Sequence, residues 1–213
     1  PKNLSDFDER PYHWGFILAY TTSSFYLDRA PSDYTFSDSL FSVSPEAVGA
    51  FAVGPIASLD LTPNIHIRSG ITLAFQDRNI NYDFWRKDTL ETFKKKVHSV
   101  YTEIPLHIKL RTNRLNNYAL YALGGIKYGY DWSSEIGVQE TYDFEDVVKI
   151  SRTNLAYSVG GGIDFFLPYF KFGIDLRLDV GINNVIIKNN TYFSNPIESL
   201  RTRMFIVSFT FEG

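Results

Sequence analysis

The chain of 213 residues contains no cysteine, which excludes a disulfide framework, a zinc site with thiolate ligands and a cysteine nucleophile. It also has no basic surplus: the formal net charge is -3, so nothing neutralises nucleic-acid phosphates. Long apolar runs are missing as well. The stretch from Ala47 to Leu59 is shorter than the about 20 apolar residues that a helix needs to span a bilayer, which disfavours a helical membrane protein.

Aromatic residues, in contrast, are abundant, with 14 tyrosines and 18 phenylalanines. Aromatic side chains are favoured in β-strands, and tyrosine and tryptophan are enriched at membrane–water interfaces. The mean hydropathy of -0.15 is compatible with a membrane barrel, because strands that alternate apolar and polar residues leave the average near that of soluble proteins. The composition is therefore compatible with a membrane β-barrel.

The clearest pattern lies in residues 171–186. Every even position from 172 to 182 is apolar, whereas the odd positions include Asp175, Arg177 and Asp179. A period of two predicts a β-strand with one apolar and one charged face. A membrane barrel explains both faces of the strand, because the apolar face would contact lipid and the charged face would line a narrow lumen.

Other segments alternate in the same way, and the links between them are long and short in turn. Short links such as 62–64 and 168–170, and long polar links such as 27–46 and 83–96, are typical of outer-membrane barrels, which have short periplasmic turns and long external loops. The fold predicted is an all-β, eight-stranded antiparallel up-and-down transmembrane β-barrel with a polar filled lumen. Its strands are predicted at residues 13–26, 47–61, 65–82, 97–111, 118–132, 151–167, 171–186 and 199–212.

The barrel domain is predicted to cover residues 13–213, and residues 1–12 to form a polar N-terminal periplasmic segment, either a short tail or a plug-like lead-in. We expect the numbering to begin after a removed secretory signal peptide, which implies the bacterial outer membrane. A soluble lipocalin-like barrel with its apolar face inside is the alternative, because periodicity alone does not tell which face is inside. The alternating loop lengths and two aromatic girdles favour the membrane barrel.

Charged and imidazole side chains are predicted on the inner faces of the strands. The interior of an eight-stranded barrel is just wide enough for side chains to fill, and an unpaired buried charge is strongly destabilising. We therefore interpret these residues as a structural, salt-bridged network that fills the lumen, in preference to a ligand or proton path. The predicted network consists of Asp60, His66, Arg68, Arg78, Glu103, His107, Lys109, Arg111, Lys127, Asp164, Asp175, Arg177 and Asp179.

The inner histidines, His66 and His107, raise an enzymatic alternative. Some eight-stranded outer-membrane barrels modify lipid A with a histidine, a serine and an acidic partner. No local motif connects either histidine to a serine nucleophile, and no histidine or carboxylate pair has a dedicated metal-ligand spacing. We therefore predict no catalytic, cofactor-binding or metal site and interpret both residues as satisfied core histidines.

Basic residues are also expected at the external rim of the barrel. Contact with the phosphates of lipopolysaccharide is one interpretation of these residues, and a solvated loop is the favoured one. These residues are Lys94, Lys95, Lys96, Arg201 and Arg203.

Several stretches resemble a known family. YTEIPL at 101–106 and YALYALGG at 118–125 resemble the signature of a large family of bacterial outer-membrane barrels. More narrowly, RSGITLAFQDR at 68–78, DFFLPYFKF at 164–172 and LRTRMF at 200–205 resemble its PorT (SprT) branch. The resemblance covers nearly all of the chain from the first strand onward.

This resemblance implies an integral outer-membrane protein needed by the type IX secretion system, which exports proteases, adhesins and gliding-motility proteins. It transfers no catalytic residues to this chain, so the expected function is that of a non-enzymatic accessory factor in secretion. The expected partners are outer-membrane lipid, lipopolysaccharide and other envelope proteins of the secretion system, reached through the loops or the barrel wall. The alternatives are a lipid A-modifying barrel enzyme and a structural or adhesion barrel.

Overall fold

The computed structural model describes residues 2–29, 40–46, 48–86, 89–132, 149–150, 152–183, 186–187 and 197–213. A short 3-10 helix, Ser5–Glu9, precedes the strands. No helix in the described ranges is long and apolar enough to cross a membrane. The strands are β1 Tyr12–Arg29, β2 Leu40–Glu46, β3 Val48–Thr62, β4 Ile65–Gly70, β5 Thr72–Arg86, β6 Thr89–Arg111, β7 Tyr118–Asp131, β8 Lys149–Ile150, β9 Thr153–Phe166, β10 Lys171–Gly181, β11 Ile186–Ile187 and β12 Ile197–Glu212.

Neighbouring strands of the barrel wall pair antiparallel and follow one another in chain order. The order is β1, β3, β4 with β5, β6, β7, β9, β10 and β12. β12 pairs again with β1, from Gly15 opposite Glu212 to Leu27 opposite Leu200, so the sheet has no free edge there. β2 belongs to the same wall segment as β3. β4 and β5 together form the next segment. β8 and β11 pair with each other in a separate two-stranded sheet. The described strands thus confirm the prediction of a closed eight-stranded antiparallel barrel.

The break between β4 and β5 is local. Pro55 of β3 and Pro105 of β6 lie in the neighbouring strands on either side of it, and proline has no N–H to donate to the ladder. The N–H of Ile71, the residue at the break, donates to the carbonyl oxygen of Pro55 at 3.2 Å. The pairing with β3 keeps one register before and after the break, so β4 and β5 act as one wall segment.

Burial alternates along the strands with the predicted period of two. On β1, Trp14 and Tyr20 are 70% and 55% exposed, whereas Ile17 and Thr21 are each 4% exposed. On β10 the same alternation puts Asp175 at 0% exposure. Large apolar side chains therefore cover the outside and charged side chains the inside. This arrangement is the reverse of a lipocalin-like barrel, and that alternative is wrong.

The boundaries of two predicted external loops are wrong. β5 continues to Arg86 and β6 begins at Thr89, so most of the predicted loop 83–96 is a paired hairpin. β2 lies inside the predicted loop 27–46 and pairs with β5. Polarity indicated loops at these places, but a hairpin that extends beyond the apolar belt keeps its backbone ladder when both of its faces meet water.

Candidate functional site

Six charged side chains fill the lumen toward the end with the short turns, and we call them the lower cluster. The Arg68 guanidinium lies 3.3 Å from the Asp175 carboxylate and 3.2 Å from the Glu212 carboxylate. Glu212 is shared, because Lys171 Nζ lies 3.0 Å from its second oxygen. Every member is at most 4% exposed. The lower cluster consists of Arg68, Lys109, Lys171, Asp164, Asp175 and Glu212.

Lys109 of β6 and Asp164 of β9 form a pair inside this cluster. Lys109 Nζ donates to both carboxylate oxygens of Asp164, at 2.9 and 2.7 Å. The same Nζ lies 3.7 Å from the centroid of the Tyr121 ring, so an aromatic face solvates the cation on another side. The Tyr121 hydroxyl donates to Asp175 at 3.3 Å. Tyr121 of β7 therefore connects this pair with the contacts of Arg68.

Four further charged side chains form an upper cluster, closer to the long loops. Lys127 Nζ of β7 lies 2.9 Å from the Glu103 carboxylate of β6 and 2.8 Å from the Asp179 carboxylate of β10. Arg177 Nε lies 3.5 Å from Asp179. Arg177 also reaches down to Asp175 at 3.8 Å, which joins the upper cluster to the lower one.

The two clusters are electrically balanced. The lower cluster has three cations and three anions, and the upper cluster has two of each, and all of these side chains are buried. Taking ions out of water is costly unless each finds an opposite charge, and removing one partner of a buried pair costs about 3–5 kcal/mol. The side chains of the clusters are therefore fixed against one another and act as filling of the barrel.

A third polar group lies at the turn end of the lumen and is centred on Asp60 of β3. One carboxylate oxygen lies 3.3 Å from His13 Nε2, and the other lies 2.5 Å from His66 Nδ1. His13 and His66 come from β1 and β4, the strands on either side of β3, and are 1% and 4% exposed. One carboxylate thus holds two imidazoles by its two oxygens, and among the described residues neither imidazole is hydrogen-bonded to a serine.

A cavity of about 20 Å³ lies between the charged clusters and the opposite wall. A volume of this size holds about one water molecule and is far too small for a lipid or a sugar. His107, 1% exposed, is at its edge, and its Nε2 has no hydrogen-bond partner within the described part of the chain. The cavity is lined by Arg68, Glu103, His107, Lys127 and Arg177 on the charged side, by Ile17, Ala19, Thr21, Ala52, Ile56, Thr72 and Ile206 on the other, and by Pro105.

The structure brings most of the predicted lumen residues together. Twelve have described side chains, and all of them are turned inward, Asp60 half-buried and the rest buried. Arg111 is the one at the margin, because its guanidinium contacts Asp8 of the N-terminal segment at 2.9 Å. The side chain of the thirteenth, Arg78, lies outside the described part of the chain, as do those of Lys94, Lys95 and Lys96.

Arg201 and Arg203 lie on β12 and are exposed. They share the outward face with Phe205, which is 50% exposed. Their guanidinium groups are therefore on the outer surface, on the loop side of the apolar belt.

Sequence reasoning missed Lys171, Glu212 and His13 as members of the lumen. The alternation contained the signal for all three, since His13 has the same parity on β1 as the inward Ile17. Lys171 has the same parity as Asp175 on β10, and Glu212 has the parity opposite to Phe205 on β12. Both lie at strand ends, where the period of two is easily taken to stop. No group of three or more histidine, aspartate or glutamate side chains suited to a metal ion occurs among the described residues.

Comparison with known families identifies the barrel. The sequence model of the family described as outer membrane protein beta-barrel domain matches residues 8–186. The chain belongs to this family. It is a protein of the bacterial outer membrane, and the apolar outer face of the barrel is the surface that contacts lipid.

Solved structures of outer-membrane barrels resemble this one in fold. The outer membrane protease OmpT from Escherichia coli has a TM-score of 0.51 at 13% identity, covering 94% of this chain and 95% of that chain. Neisserial surface protein A has a TM-score of 0.49 at 9% identity, covering 94% and 96%. OprG from Pseudomonas aeruginosa has a TM-score of 0.46 at 11% identity, covering 94% and 93%. Identities this low show the fold alone, and no curated protein sequence matches this family member.

Proposed function

We propose that this outer-membrane barrel is a non-enzymatic accessory factor of type IX protein secretion and works through its outer surfaces. The filled lumen is the observation that supports this proposal most. Ten charged side chains of the two clusters occupy the interior, and the cavity between the charged clusters and the opposite wall has only about 20 Å³. A barrel with such an interior is a poor conduit for an unfolded polypeptide, so its contribution to secretion would come from the proteins and lipids that it holds.

The surroundings of the histidines favour a non-enzymatic role over a lipid A-modifying enzyme. His66 is bound to Asp60, and His107 is 1% exposed beside the small cavity. A catalytic histidine must reach its substrate within hydrogen-bond distance, and a lipid cannot approach either imidazole from the outer face. The RSGITLAFQDR, DFFLPYFKF and LRTRMF stretches that resemble the PorT branch favour secretion over a purely structural or adhesion barrel.

Deletion of the gene in its host tests the proposal. We expect the deletion strain to lose secretion of type IX cargo, and wild-type protein to restore it. The His66→Ala and His107→Ala variants should also restore secretion and leave lipid A unchanged, provided that heat-modifiable mobility on gels shows folded barrels. Normal secretion in the deletion strain would rule out the accessory role, and altered lipid A in either variant would favour the enzyme.

Lipopolysaccharide is the lipid partner that we propose for the outer rim. Arg203 and Arg201 lie on the lipid-facing side of β12, two and four residues before the exposed Phe205. Guanidinium groups bind phosphate through paired N–H donors. Replacing both with glutamine should lower the amount of lipopolysaccharide retained by the purified folded protein, whereas Lys2→Gln, which changes an exposed cation in the N-terminal segment, should not. Equal retention by both variants would argue against this contact.

A further inference from the structure

The N-terminal segment Asn3–Glu9 closes the turn end of the barrel with one buried aromatic side chain. Phe7 is 6% exposed although the polar residues beside it are exposed. Its ring stacks on the His13 imidazole with a centroid distance of 3.7 Å and an interplanar angle of 6°. It meets the Phe166 ring edge-on at 5.9 Å, and Lys171 Nζ lies 4.6 Å from its centroid. Phe7 therefore fills a slot with aromatic walls and a cation above it.

The next residue, Asp8, places a carboxylate between two arginines at the rim of this slot. Its oxygens lie 2.9 Å from the Arg111 guanidinium and 3.4 Å from the Arg114 guanidinium. Arg114 also lies over the Phe166 ring, 3.8 Å from its centroid. The turn-side mouth of the barrel thus binds an aromatic residue that is followed directly by a residue with a carboxylate.

The segment is attached by side chains and not by a β-ladder. In the described residues its backbone-to-backbone hydrogen bonds are those of its own turn, from Phe7 N–H to the Leu4 carbonyl at 3.2 Å and from Arg10 N–H to the Phe7 carbonyl at 3.3 Å. Asn3 binds the Asn117 side chain and the Phe166 carbonyl, and Arg114 donates to the carbonyls of Asn3 and Leu4. Releasing the segment would therefore leave every strand pair of the barrel intact.

We propose that the turn-side mouth of the barrel is a binding site for a peptide with an aromatic residue followed by an acidic one, and that Phe7 and Asp8 occupy it in cis. Release of the segment exposes Phe166 and His13 together with the cations Arg111, Arg114 and Lys171. A ligand of the same chemistry would restore the aromatic stacking and the arginine–carboxylate contacts that are lost on release. Because the turns of outer-membrane barrels face the periplasm, the site would receive a periplasmic protein segment. This inference goes beyond the secretion proposal and does not depend on it.

A fluorescent peptide with the sequence of residues 1–10 tests the site on the full chain in lipid nanodiscs. The attached segment competes at an effective concentration on the order of millimolar, so the wild-type barrel should bind the peptide weakly. The Phe7→Ala, Asp8→Ala double variant empties the slot and should bind it at least about tenfold more tightly. Adding Arg111→Gln and Arg114→Gln should abolish this gain. The matched control is the same peptide with alanine in place of its phenylalanine and second aspartate.

Hydrogen exchange on the unmodified protein gives a second measurement that does not rely on variants. A millimolar excess of the unlabelled peptide should speed amide exchange in residues 3–10, because it displaces the cis segment, and the control peptide should not. Equal binding of both peptides, binding that persists without the two arginines, or unchanged exchange with the matching peptide would each overturn the proposal.

Discussion

The two sides of the lumen fill the same barrel with different chemistry. β4, β6, β7, β9, β10 and β12 supply the charged side chains of the two clusters, whereas β1, β3 and β5 supply a row of alanines. Ala19, Ala52 and Ala74 lie opposite one another across three neighbouring strands and pack with Tyr101, Met204 and Ile206. An eight-stranded barrel has room for one layer of side chains, so long side chains from one wall require short ones on the other. The stability of the charged side should therefore depend on ion pairing, and the stability of the alanine side on side-chain volume.

The largest effect is expected from Lys109→Met on the charged side. The substitution keeps the length of the side chain but leaves the fully buried Asp164 carboxylate without the ammonium at 2.7 Å. Loss of one partner of a buried pair costs about 3–5 kcal/mol. Urea unfolding in lipid vesicles, followed by tryptophan fluorescence, should show this loss in the free energy of unfolding.

The double variant Lys109→Met, Asp164→Asn separates lost pairing from lost packing. With both charges removed, no unpaired ion is buried, and we expect more than half of the lost stability to return. Lys2→Met, which changes an exposed lysine, serves as the control for loss of a positive charge. A double variant as unstable as Lys109→Met would mean that volume, and not pairing, governs the charged side as well.

Alternation in the sequence was sufficient to predict the wall and most of the lumen. On β10 each charged residue lies between two apolar neighbours, as Lys109 does on β6, so the alternation predicts both the strand and the inward face of these residues. The outer part of the β5–β6 hairpin was missed, because the alternation of apolar and polar residues in the sequence ends before the paired strands do. Phe7 was also missed, because its slot combines His13 of β1 with Phe166 and Lys171, which lie far along the chain at the turn between β9 and β10. Such contacts have no local sequence signal.

A smaller effect is expected from Ala52→Leu on the alanine side. Ala52 is 6% exposed and lies between Ala19 and Ala74, where added methyl groups would push into the row and toward the charged side chains. Overpacking of a filled interior typically costs about 1–3 kcal/mol. Ala122→Leu is the matched control, because Ala122 is exposed on the outer face of β7, where a leucine meets lipid. The same urea titration should lower the midpoint for Ala52→Leu and leave it nearly unchanged for Ala122→Leu. If both variants are as stable as the wild type, the lumen has spare volume beside the alanines. The length of the charged side chains would then not be the reason that the residues on the alanine side are small.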